Sequence, residues 1–170
     1  MKNHIIISLL FLSIGLSQQE YNINDLIEMD NGLFTVKFSD EPITGKVYGN
    51  FGKEGEELTK VYIGKLINGE KDGKWTFWFH NTGTKQYEGT FKDGKEDGLY
   101  TRWYENGQKK SEATYKDGEL DGFSTLWYDN GQKNWEGTYK DGKEDGLWTY
   151  WFVFGQKEEE RTYKDGELVK

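Results

Sequence analysis

Four glutamates, Glu88, Glu112, Glu136 and Glu160, recur in step with four aspartates, Asp93, Asp117, Asp141 and Asp165, in a chain of 170 residues with 30 acidic side chains. Carboxylate pairs are the raw material of glycoside hydrolysis, where one acts as acid and the other as base or nucleophile. That chemistry needs two carboxylates in unlike environments, and residues that recur with their neighbours see the same surroundings each time. Each aspartate directly precedes a glycine, where Asp tolerates left-handed geometry and bonds its own turn. The glutamates fall in mid-segment near Lys85, Lys109 and Lys133, which predicts charge pairing and solubility. A calcium loop would need alternating D-x-D-x-D-G ligands, and the Asp-Gly turns lack them. Nucleophile-and-base chemistry has no better footing: the chain has no Cys and two His, His4 and His80. It also has no G-x-S-x-G, phosphate loop or zinc spacing. His80 falls in a turn and reads as a solvated side chain. No catalytic residue, metal ligand or cofactor is expected, and the chain reads as non-enzymatic.

Aromatic rings are the other residue type able to engage a ligand. Trp78, Trp103, Trp127 and Trp151 form one column, Thr76, Thr101, Thr125 and Thr149 a second, and Phe91, Tyr115, Tyr139 and Tyr163 a third. An exposed row of Trp and Tyr stacks sugars or holds quaternary ammonium groups by cation–π attraction. A buried row is instead the core of a thin sheet. With 34% hydrophobic and 16% aromatic residues and a mean hydropathy of -0.91, burial has to come from rings, which favours the core reading. Seven Trp and eleven Tyr also exclude a disordered acidic tail.

These columns exist because the chain repeats. Gly73, Gly98, Gly122 and Gly146 are 25, 24 and 24 residues apart; Gly83, Gly107, Gly131 and Gly155 are each 24 apart. Gly69, Gly94, Gly118, Gly142 and Gly166 step by 25, 24, 24 and 24. The irregularity is one extra residue in HNTG, where later units have ENG or DNG. Within residues 98–122 the pattern predicts a strand LYTRWYE, a turn at Asn106-Gly107, a strand KKSEATYK and a turn at Asp117-Gly118. Asn-Gly and Asp-Gly between alternating segments signal type I′ hairpins, which need positive φ at both central residues. A two-residue loop at Asn106-Gly107 would pair Tyr104 with Lys109 and put Tyr100, Arg102 and Tyr104 on one face with Ser111, Ala113 and Tyr115. Residues 43–64 read as a degenerate first repeat. Residues 18–42 read as a leader and cap, with one strand in LFTVKF.

The N-terminus, MKNHIIISLLFLSIGLS, has the layout of a cleavable secretory signal over residues 1–17, with processing expected between Ser17 and Gln18. Its apolar run of roughly a dozen residues falls short of the about 20 that cross a bilayer. A secreted or periplasmic location is therefore expected. The formal charge of -8 argues against nucleic acid, whose binding rests on cations that neutralise phosphates, and disfavours docking on anionic lipid.

YEGTFKDGKEDG (87–98) and WEGTYKDGKEDG (135–146) resemble the MORN repeat, whose core runs aromatic-x-Gly-x-aromatic-x-x-Gly-x-x-x-Gly. WYENGQKK (103–110) and WYDNGQKN (127–134) resemble its bacterial variant, found in proteins labelled YwqK-family antitoxins. The resemblance spans about residues 43–170 and implies an elongated single-layer antiparallel sheet of successive β-hairpins. It also implies a scaffold or protein-binding surface with no catalytic role. Two departures stand at the family's small residue, which is Ala113 in one strand and Arg161 in the last. The expectation is an all-β repeat array with a period of about 24 residues over residues 43–170, acting as an exported protein-binding scaffold. Toxin neutralisation and glycan binding through aromatic cradles are the alternatives. A protein partner is expected; membrane or glycan contact is the less favoured one.

Overall fold

The computed structural model describes residues 19–52, 55 and 57–169. The expected signal segment 1–17 and His4 lie outside them. The chain is almost entirely strand, as glycine-punctuated segments dense in Thr and aromatics dictate. The leader holds β1 (Glu20–Asn22), a 3-10 turn (Ile23–Asp25), β2 (Leu26–Glu28) and β3 (Phe34–Val36). The array follows with β4 (Gly45–Phe51), β5 (Thr59–Ile67), β6 (Glu70–Trp78), β7 (Lys85–Lys92), β8 (Lys95–Trp103), β9 (Lys109–Lys116) and β10 (Glu119–Trp127). It continues through β11 (Lys133–Lys140), β12 (Lys143–Glu144), β13 (Gly146–Trp151), β14 (Lys157–Lys164) and β15 (Glu167–Leu168). From β4 onward each strand except β12 pairs antiparallel with the next along the chain, β11 with both β12 and β13, giving the elongated sheet of hairpins that the repeat predicts.

The two kinds of turn differ. At Asp93-Gly94, Asp117-Gly118, Asp141-Gly142 and Asp165-Gly166 both residues have positive φ, 52° and 89° at Asp117-Gly118, and Lys116 faces Glu119 across a two-residue loop. These are the type I′ turns expected. Asn106-Gly107 is not one: only Gly107 has positive φ, and Tyr104 N–H donates to the Gln108 carbonyl, closing a five-residue loop. Trp103 therefore faces Lys109, while Arg102 faces Ser111, and Lys110 is the extra residue of a bulge. Because the longer loop and the bulge cancel, Tyr100 still opposes Ala113 and Arg102 still opposes Ser111, the faces that a two-residue loop would have given. A second bulge lies in mid-strand. Gly98 and Gly122, with φ of 110° and 128°, sit inside β8 and β10, where the pairing with the preceding strand skips.

The leader is more than the single strand expected. β1 adds parallel to β4, tied by Lys46 N–H to the Gln19 carbonyl and by the Lys60–Glu20 ion pair at 2.7 Å. β2 and β3 form their own hairpin, docked by Phe34 N–H on the Gly69 carbonyl and by Ile43 N–H on the Phe34 carbonyl. Under this cap lies the aliphatic core, Ile43, Val47, Ile63 and Leu66, joined by Trp75 and Phe91. The Lys71 ammonium stands 4.9 Å from the Phe91 ring, 5.6 Å from Trp75 and 5.7 Å from Phe34, bridging cap and array. Burial holds its pKa below the ordinary lysine range.

Candidate functional site

The repeated carboxylates are consumed by the array itself. Glu88, Glu112, Glu136 and Glu160 each pair with the lysine three residues before, at 2.8, 2.5, 2.5 and 2.7 Å. The buried Thr76 and Thr101 hydroxyls donate to Glu88 and Glu112. Burial alone would raise the Glu88 carboxyl, but the hydrogen bonds from Lys85 and Lys74 outweigh it and hold the pKa below the usual value. The same lysines cover the next tryptophan: Lys85 lies 5.3 Å from the Trp103 ring centre, Lys109 5.8 Å from Trp127 and Lys133 5.3 Å from Trp151. The column Trp78, Trp103, Trp127 and Trp151 is half-buried, and three of its rings thus carry a ligand-like cation supplied by the protein. Along the same face Leu99, Phe123 and Leu147 stand 54%, 56% and 56% exposed.

The rings that fill the opposite face belong to a column that sequence reading missed. Trp75 and Trp148 are buried, and Tyr100 and Ser124 occupy the equivalent places in the units between. Each ring lies on a glycine of the strand before it. A Cβ on Gly64 would meet Trp75 at 2.3 Å, on Gly89 Tyr100 at 2.4 Å, and on Gly137 Trp148 at 2.2 Å. Ala113 faces Ser124, where no ring needs the space. Arg161 on β14 faces Trp148 across the ladder; its guanidinium rests 4.8 Å from the Tyr150 ring and pairs with Glu159. The departure at Ala113 thus follows from what lies across from it. The expected column of Phe91, Tyr115, Tyr139 and Tyr163 packs edge-on against these rings, Phe91 and Tyr115 on Tyr100, Tyr139 and Tyr163 on Trp148.

Turn-to-turn ties complete the frame. Tyr104 O–H donates to the Trp127 carbonyl at 2.7 Å and Tyr128 O–H to the Trp151 carbonyl at 3.0 Å. Asn106 and Asn130 side chains donate to the Asp129 and Val153 carbonyls, both at 2.8 Å. In the last such turn Phe152, Val153 and Phe154 replace these tie residues and are exposed. The glycine columns serve the same frame. Gly94, Gly118, Gly142 and Gly166 make the tight turns, and Gly83, Gly107, Gly131 and Gly155 close the longer loops. Gly73, Gly98, Gly122 and Gly146 lie within or at the start of strands with positive φ.

Against this frame several positions change from unit to unit, two of them beside the loop that follows each Trp of the recurring column. The first is Phe77, Arg102, Leu126 and Tyr150; the second, the bulge residue, is Gln86, Lys110, Asn134 and Glu158. Column-by-column comparison of the units would have exposed both, because the signal is variation rather than recurrence. Fold and ladders define the class: a single-sheet array of β-hairpin repeats in which each unit is completed by the next. Residues 96–117, which take in β8 from its second residue, β9 and the loop between them, match the family described as MORN repeat variant. That match supports a MORN-repeat protein. A search of curated proteins gives no match.

Proposed function

We propose that the chain is an exported, non-enzymatic scaffold that offers its long sheet to a protein partner. The observation that carries this reading is the division between frame and variable positions. Recurring glutamates are paired within their own strands, and three of the tryptophans and the loop tyrosines and asparagines are engaged with neighbouring units, while solvent-facing places such as Arg102 and Lys110 differ from unit to unit. Repeat proteins that bind through an extended surface divide their residues in this way. The exposed row Leu99, Phe123 and Leu147 adds apolar area of the kind that interaction surfaces use. Toxin neutralisation is a special case of the same reading, in which the partner is itself harmful when made alone. Glycan binding through the tryptophan column is not adopted, because lysines already stand over three of the four rings.

The test is to express the whole chain with a C-terminal tag in its own cells, cross-link, and identify what is held. The expected result is a processed chain beginning near Gln18 with one stoichiometric protein, binding again when both are purified. Recovery of wall glycan or lipid alone would overturn the scaffold reading, and an unprocessed chain in the cytoplasm would overturn export.

A further inference from the structure

A cleft opens on the ring face beside the Asn106-Gly107 loop, walled by Phe79, Tyr87 and Tyr100, with Gln86, Arg102 and Lys110 at its rim. Its cations are departures from the repeat. Where this unit has Arg102 the others have Phe77, Leu126 and Tyr150; where it has Lys110 the others have Gln86, Asn134 and Glu158. Folding does not ask for either, since three sister units build the same hairpin without them. Among the described residues neither cation has a carboxylate partner, although nine other ion pairs form in this acidic chain. Arg102 instead lies 5.4 Å from the Tyr100 ring centre and Lys110 5.4 Å from that of Tyr104. The bulge that Lys110 occupies is a device for re-aiming a side chain. Burial pushes the Tyr87 and Tyr100 phenols up, so both remain protonated donors.

We propose that this cleft is a recognition site for an acidic peptide segment of a protein partner, one carboxylate on Arg102 and Lys110 and an adjoining apolar side chain against Tyr87, Tyr100 and Phe79. This rests on the scaffold reading and names the chemistry of its partner. Charge selects the ligand. Arg102 and Lys110 are the charged side chains of the lining and no carboxylate among the described residues joins them there, which suits an anionic group. Phosphate sites usually add backbone N–H groups from a helix end or a nest; here β8 and β9 spend theirs on the ladder. The guanidinium fork matches a carboxylate bidentately.

The experiment titrates the full chain with a fluorescent Ser-Glu-Phe-Glu-Ser peptide, with its Ser-Gln-Phe-Gln-Ser twin, with inorganic phosphate, and with anionic phospholipid vesicles. The acidic peptide should bind and the amide twin should not. Arg102→Leu with Lys110→Asn, which installs what residues 126 and 134 already carry, should keep the melting temperature and weaken binding by about tenfold or more. Lys116→Gln should leave binding unchanged. Equal binding of the two peptides, no binding at millimolar peptide, an unaffected double variant, or preference for phosphate or vesicles would each overturn the proposal. The same double variant, used in the capture experiment, separates the two readings. A partner still held by it rejects this site and leaves the scaffold intact; no partner on the unaltered chain rejects the scaffold, and the peptide titration then judges the cleft alone.

Discussion

Between the place where a Cβ would stand on Gly137 and the ring of Trp148 there are 2.2 Å, closer than any real side chain approaches another. Gly137→Ala must therefore move a buried indole, and overpacking of this kind costs about 1–3 kcal/mol. Chemical unfolding should show that loss for Gly137→Ala and a much smaller effect for Ala113→Gly, which faces Ser124. Equal costs would mean that the rings do not set the small position. Sequence inspection had marked Ala113 and Arg161 as departures but could not explain them. The partner column reads Trp75, Tyr100, Ser124, Trp148, and a column whose members are unlike does not announce itself by recurrence. The tryptophans that do recur, Trp78 to Trp151, are half-buried, three of them under lysines, rather than the most deeply packed rings.

Hairpins and their tight turns were readable from the chain because Asp-Gly has one dominant use, the left-handed pair of a type I′ turn. Asn-Gly was misread because its asparagine has a second use: Asn106 bonds its own loop through Oδ1 and the next loop through Nδ2. Tyr128→Phe should cost about 0.5–1.5 kcal/mol, the usual worth of one hydrogen bond, by removing the bond to the Trp151 carbonyl. An unchanged stability of that variant would contradict the tie. Acid should act on the ion-paired strands. The Glu88 carboxyl is held down in the folded chain, so its contribution is complete above the unfolded value of about 4.3 and is lost as pH falls through the lower folded value. Glu88→Gln should flatten the fall of melting temperature below about pH 4, by an amount typical of exposed pairs, about 0.2–1 kcal/mol. An unchanged pH profile would remove Glu88 from the account.

At the scale of the whole array, contacts run between neighbours, so a unit should be removable. Deleting Gly98–Asp121 sets Ser124 across from Gly89 and leaves room to spare; the shortened chain should fold. Deleting Gly122–Asp145 sets Trp148 across from Ala113, whose methyl group stands where the indole must lie. That chain should be markedly less stable and should recover with Ala113→Gly, measured by calorimetry. Collapse after both deletions, unrelieved by glycine, would show that the sheet is one indivisible domain. The leader was the least legible region, because β1 joins by parallel pairing with β4, a distant contact that no local pattern encodes.

The pairing of Ala113 with Ser124 also bears on heredity. Near-identical tandem segments invite misaligned copying, in which a unit is lost or gained. A slip that removes residues 98–121 would leave a chain able to fold but without Tyr100, Arg102 and Lys110 of the cleft, while one that removes 122–145 would be exposed in folding itself by a single methyl group. One alanine thus makes the order of the units a selectable trait at the level of folding.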